Sequence, residues 1–195
     1  GEHVPARLEQ RVCVVPVPVQ HADREGSQHR RRPRRSRWPL GEPLLERLHL
    51  AEVQGVREHD PVVVVVSAMS TVTETLLEAA RLAAAGNEAA VAEKLQYLRQ
   101  KHLRAIEELF PGPRREQVTT AVGEILAEFE KLCAGMALLR DLPLRAMDAG
   151  LSMGERLSAT ILARYLDDQG IAAQAVDAAT CVVTDQNFGS ARPLL

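Results

Sequence analysis

From residue 62 onward the apolar positions fall into clear periods. Val62 to Val66 is a continuous β-branched run, which predicts a buried strand of a parallel sheet. Ser67-Ala68-Met69-Ser70-Thr71 interrupts it, and a helix is expected from about Val72, with Leu76, Leu77, Ala80 and Ala84 on one face and Gly86 ending it. Residues 88–109 then carry Val91, Leu95, Leu98, His102, Ile106 and Leu109 at three- and four-residue steps. Residues 115–139 do the same with Val118, Val122, Ile125, Phe129, Leu132, Met136 and Leu139. Pro111-Gly112-Pro113 between them predicts a long antiparallel helical hairpin, on which His102 reads as a packed core histidine rather than a ligand. After Pro143 comes the stretch Met147 to Ser158, and a helix then carries on through Leu162 and Leu166 to a stop at Gly170. Short strands at Ala172–Val176 and Cys181–Val183 follow, and then a polar turn over residues 184–190. Strand, helices and strand in this order argue for an α/β sheet with covering helices.

The first sixty residues follow no single period. Val12-Cys13-Val14-Val15 could form a short strand, which Pro16 and Pro18 would limit to a sheet edge. Leu44, Leu45, Leu48 and Val53 predict a helix over 43–58, ending before Asp60-Pro61. The composition breaks at the same place: residues 1–60 hold five of the six His and six of the eleven Pro, and Lys is absent until Lys94. Two regions are therefore expected, an irregular or disordered Arg/Pro-rich segment over 1–42 and a folded part over 43–195. The block Arg30-Arg-Arg-Pro-Arg-Arg-Ser-Arg37 reads first as a self-repelling segment. An arginine arm that neutralises nucleic-acid phosphates is the competing reading, and nucleic acid is not expected, because no recognition fold follows the block. Enrichment in Arg, Pro and His without Lys also fits out-of-frame, GC-rich coding sequence.

Charge and cysteine content narrow the classes further. A net charge of -2 gives no general pull towards nucleic acid or anionic lipid, and no apolar run approaches the roughly 18 residues of a membrane span. No membrane partner is expected. Cys13, Cys133 and Cys181 are odd in number and widely spaced, which predicts free thiols in a reducing, cytoplasmic setting and no metal site.

Three segments carry a more specific signal. Val63-Val64-Val65-Val66-Ser67-Ala68-Met69-Ser70-Thr71-Val72-Thr73 resembles a strand followed by a Ser-Ala-x-x-Gly-x-Thr-Asn turn. Leu151-Ser152-Met153-Gly154-Glu155-Arg156-Leu157-Ser158 resembles a Gly-Glu-x-x-Ser segment, and Thr184-Asp185-Gln186-Asn187-Phe188-Gly189 a Thr-Asp-x-x-Phe-Gly turn. In this order, with the helical pair between the first two, they resemble the aspartokinase branch of the amino-acid kinase family over about residues 61–193. The implied fold is an incomplete amino-acid-kinase-like α/β sheet. The implied activity is transfer of the ATP γ-phosphoryl to the side-chain carboxylate of L-aspartate, giving 4-phospho-L-aspartate at the head of lysine, threonine and methionine synthesis. ATP and Mg are the implied cofactors and L-aspartate the implied partner, with a homo-oligomer allowed. A carboxylate acceptor needs no general base, so positioning and charge neutralisation carry such chemistry.

By the same resemblance, Glu155 at the start of a helix takes the substrate ammonium group, where a first-turn cap is the structural alternative. Ser67, Ala68 and Thr73 offer hydroxyl and backbone donors to carboxylate or phosphate, and Thr73 could equally serve as an N-cap. Ser158 faces the same pocket. Departures from the pattern are also plain. The family's Lys-Phe-Gly-Gly-Thr-Ser loop is matched only by Pro39-Leu40-Gly41-Glu42-Pro43-Leu44, with Pro39 in the lysine's place and Gly41 alone keeping a degenerate phosphate-binding role. Thr71 replaces a glycine and Glu74 an asparagine. The nucleotide lobe would lie beyond Leu195. The chain by itself is therefore expected to be inactive, with no catalytic residue of its own. A non-catalytic helical interaction module and a fragment of another amino-acid kinase, such as a glutamate or acetylglutamate kinase, remain the alternatives.

Overall fold

The computed structural model describes residues 12–16 and 63–194. The arginine block, the expected helix over 43–58 and the Pro39–Leu44 stretch lie outside the described residues. Strand β1 (Val12–Pro16) and β2 (Val63–Val66) precede four helices: α1 (Val72–Ala84), α2 (Glu88–Leu109), α3 (Arg114–Leu139) and α4 (Leu144–Asp168). Strand β3 (Ala173–Ala175) and a single 3-10 turn (Ala178–Thr180) come last.

The three strands form an all-parallel sheet in the order β2-β1-β3. This corrects the expectation of an edge strand at Val12–Val15, since β1 is central. Its pairing with β3 stops at Val14 and only the pairing with β2 reaches Pro16. The proline therefore sits at the strand's last position, beyond the reach of β3, and interrupts no ladder bond on that side. A second correction concerns Val62–Val66, read as buried throughout. Val64 and Val66 pack beneath α4, but Val63 and Val65 are 62% and 57% exposed. Two faces of one strand alternate by geometry, and among the described residues only one of them is covered.

The helices carry the larger core. Leu76, Leu98, Ile106, Phe129 and Leu157 are almost fully buried in one cluster drawn from all four. Burying each such side chain stabilises the fold by about 1.5–3 kcal/mol. A smaller cluster of Ala159, Leu162, Ala163, Leu166 and Ile171 seats the C-terminal half of α4 on the sheet. Short residues at 159 and 163 let helix and strands approach closely. Phe110, fully buried, meets Tyr165 edge to face at 6.2 Å and ties the α2–α3 connection to α4. Arg114 at the start of α3 reaches Asp167 and Asp168 at the end of α4, at 2.8 and 3.3 Å. Being exposed to solvent screening, these ion pairs fix the geometry of the junction more than they stabilise it.

Local chemistry explains most of the boundaries. Gly86 follows α1 with φ +74 while the Asn87 amide bonds to the Leu82 carbonyl, the αL closure that glycine adopts without strain. The Asn87 side chain then caps α2 through the Ala90 amide at 3.2 Å. His102 is fully buried on α2. Leu139, expected on the inner face of α3, is 68% exposed because the helix ends there, with Arg140 in a left-handed conformation. Cys181–Val183 is not a strand. Those residues follow the 3-10 turn and lie exposed, and only Thr184 makes an antiparallel bridge, to Pro193.

Candidate functional site

Residues 67–71 leave the carboxyl end of β2, the end at which parallel α/β sheets receive ligands. Ser67 is exposed at the rim, Ala68 and Met69 are half-buried, and the Val72 amide bonds back to the Met69 carbonyl to close the turn. Thr71 is the N-cap residue of α1, with φ 67 and no side-chain capping bond. Thr73 stands in the first helical turn, half-buried, so the alternative of N-cap duty for Thr73 does not hold. A β-branched residue in the left-handed region is strained by about 1–2 kcal/mol. Two contacts hold it there: the Thr71 and Tyr97 hydroxyls meet at 2.8 Å, and the Thr75 hydroxyl donates to the Thr71 carbonyl at 2.7 Å. Hydrogen bonding to Thr71 also lowers the Tyr97 pKa below 10.0.

Glu155 approaches this turn from α4. It does not lie at a helix start: α4 begins at Leu144, so the carboxylate sits mid-helix, where the N-terminal dipole and capping geometry supply nothing. Its residue is 1% exposed, and Oε1 has no hydrogen-bond partner. Burial pushes the carboxyl pKa above 4.5, while its own backbone amide and that of Ala68 partly favour the charged form. Ser158, one turn further on, is 4% exposed and its Oγ is likewise unpartnered. Two buried side-chain oxygens one turn apart on α4 thus lack partners among the described residues, a polar spot able to accept donors from a ligand.

The structure thus brings Ala68, Glu155 and Ser158 together, with Ser67 at the rim and Thr73 on the helix behind. Gly41 and Pro39 lie outside the described residues. The third motif docks on the same helix two turns earlier: the Gly189 amide donates to Asp148 at 2.6 Å, and the Arg145 guanidinium lies 5.7 Å from the centre of the Phe188 ring. Asp185 organises that turn from within, accepting the amides of Asn187 and Arg192 at 3.1 Å each. From Asp148 to Glu155 is about 10 Å along the helix axis.

Sequence reasoning missed Tyr97, Arg145, Asp148 and the part played by Gly154. Tyr97 occupies a half-polar helical position like any other, and nothing local distinguishes it. A signal did exist for Gly154, since a glycine inside a helix costs about 1 kcal/mol and calls for a packing reason. An open groove of about 540 Å³ lies elsewhere, between Thr160, Arg164 and Asp167 of α4 and the outer side of β3. It includes neither Glu155 nor Ser158, whose surroundings are closed.

The description of the amino acid kinase family matches residues 42–194. Over 123 residues the chain is 35% identical to aspartokinase 1, chloroplastic, of Arabidopsis thaliana, an alignment that takes in 62% of this chain and 20% of that protein. It is 34% identical over 132 residues to aspartokinase 3, chloroplastic, of the same plant, taking in 66% of this chain and 22% of the relative. The chain therefore spans about a fifth of the length of these relatives.

Proposed function

The chain belongs to the amino acid kinase family, and from that premise we propose that it is the L-aspartate-holding part of an aspartokinase. In the whole protein, ATP phosphorylates the side-chain carboxylate of L-aspartate to 4-phospho-L-aspartate, opening the route to lysine, threonine and methionine. The observation that carries this reading is the pair of buried, unpartnered oxygens on Glu155 and Ser158 beside the turn after β2. An α-ammonium group supplies the donors both oxygens lack and the positive charge a buried carboxylate needs. Backbone and hydroxyl donors at Ser67 and Ala68 are left for the substrate's carboxylates. Because Glu155 is closed off, the amino acid enters by displacement of the 67–71 turn, whose ends at Ser67, Ser70 and Thr71 are exposed.

ATP with its metal supplies the phosphoryl group and the neutralising charge when bound. Among the described residues no three Asp, Glu, His or Cys side chains cluster as a candidate metal site. We further propose that the isolated chain does not turn over. No lysine precedes Lys94, and Pro39 and Glu42 stand where charge neutralisation and close backbone approach are needed. Free thiols at Cys133 and Cys181 suit a reducing compartment such as the cytoplasm. Among the described residues no helix is long and apolar enough to cross a membrane.

Calorimetric titration tests the reading. L-aspartate is expected to bind in preference to succinate, which has both carboxylates and no ammonium. Glu155→Gln is expected to weaken aspartate roughly 10- to 100-fold, the usual scale for a hydrogen bond to a charged group. Equal binding of succinate and aspartate would refute the role of Glu155. A hydroxamate assay with ATP and aspartate is expected to stay at background.

Leu138, Leu139 and Leu144 favour a second reading, a module that associates with a kinase subunit or with its own copy. They stand 85%, 68% and 55% exposed around one helix junction. Light scattering that shows a monomer at all accessible concentrations, without capture of a kinase subunit, removes it.

A further inference from the structure

A Cβ built on Gly154 would lie 2.8 Å from the Ala68 Cβ, and 3.3 Å from both Leu76 Cδ1 and Val72 Cγ1. Carbon atoms in ordinary contact sit about 3.5–4.0 Å apart. Helix α4 therefore makes its tightest approach to the 67–76 segment one residue before the carboxylate that faces that segment. The Leu76 contact involves the far end of a flexible side chain, which can give, whereas Val72 is β-branched and fully buried and gives less. Ala68 Cβ is fixed to the backbone of the turn, so an added methyl at 154 must push the turn itself. The glycines of α3 show the contrast: at Gly123 and Gly135 a Cβ would meet nothing within 4 Å, while at Gly150 of α4 it would meet the Phe129 ring at 3.1 Å.

We propose that Gly154 is a positioning residue for the amino-acid site, whose missing side chain sets the distance between the Ala68 amide and the Glu155 carboxylate. This rests on the reading of Glu155 as the ammonium-binding group. The displacement needed to relieve a 2.8 Å contact is about 1 Å, too small to admit a water molecule and large enough to lengthen an amide-to-carboxylate contact. The buried carboxylate then loses one of the two backbone groups that favour its charged form, while its burial is unchanged. It becomes a poorer partner for a cation.

The test is a size exchange across the contact. Gly154→Ala is expected to weaken L-aspartate about tenfold in calorimetry, from the partial loss of a hydrogen bond to a charged group. Adding Ala68→Gly to it removes the opposing methyl and is expected to restore affinity to within about threefold of the parent. Gly123→Ala serves as the control and is expected to leave affinity unchanged. All four proteins are compared below the onset of unfolding, as followed by circular dichroism. NMR titration of the Glu155 carboxyl gives a readout without ligand: its midpoint rises in Gly154→Ala and returns in the double variant. Unchanged affinity and midpoint in folded Gly154→Ala, or no recovery in the double variant, overturns the proposal. Absence of aspartate binding by the parent protein, with the midpoint still moving and returning, refutes the substrate reading and leaves the positioning geometry standing.

Discussion

At the scale of single residues, the chain keeps two costly choices side by side. Among the described residues Glu155 is buried without a counter-charge, and burial raises its pKa above 4.5. The folded protein therefore holds this proton more tightly than the unfolded chain, so stability falls as pH rises from 4.5 through the folded pKa. Glu155→Gln removes that dependence. It is expected to stabilise the ligand-free protein at neutral pH, visible as a higher Tm, in the same variant that loses aspartate. Thr71 is the second costly choice, left-handed where the family places glycine. Thr71→Gly relieves the strain but adds chain entropy to the unfolded state, leaving an expected net gain of about 0.5–1 kcal/mol in denaturant unfolding. Tyr97→Phe, mildly destabilising in the parent, is expected to be neutral in Thr71→Gly, because the hydroxyl partner is already gone.

At the scale of elements, His102 governs how α2 responds to acid. Its Nδ1 meets the Leu98 carbonyl at 2.6 Å, which makes Nδ1 the donor and leaves Nε2 buried without a partner. Burial lowers its pKa below 6.5, so the unfolded chain takes up the proton first. Stability is lost as pH falls from 6.5 through the folded pKa, opposite in sign to the contribution of Glu155. His102→Leu is expected to flatten the acid limb of stability below pH 6.5 in urea titrations. The helices themselves were legible beforehand: Val91, Leu98, His102 and Ile106, like Val118, Val122, Phe129 and Met136, are buried where their spacing put them. Two things escaped that reasoning. The extent of α4 did, because Gly150 and Gly154 inside Leu144–Asp168 suggest a break, and only their contacts with Phe129 and Ala68 explain a continuous helix. The rank of β1 did too, because proline rules describe ladder bonds on both sides of a strand, and sequence does not say how far each neighbour extends.

At the scale of the whole molecule, the two faces of the sheet are unequal among the described residues. Helix α4 covers Val64 and Val66, whereas Val63 and Val65 stand 62% and 57% exposed. Val65→Asp is therefore expected to change stability by no more than about 0.5 kcal/mol in denaturant unfolding, and a loss of about 2 kcal/mol or more would show that this face is covered. The central place of β1 bears also on how the protein can be trimmed. The family match starts at residue 42, so a fragment cut to that boundary looks complete by alignment and yet discards Val12–Pro16. The two remaining strands would face each other across a gap of about 9.5 Å, twice the normal spacing, with no backbone partner between them. What resembles a dispensable leader is the keystone of the sheet.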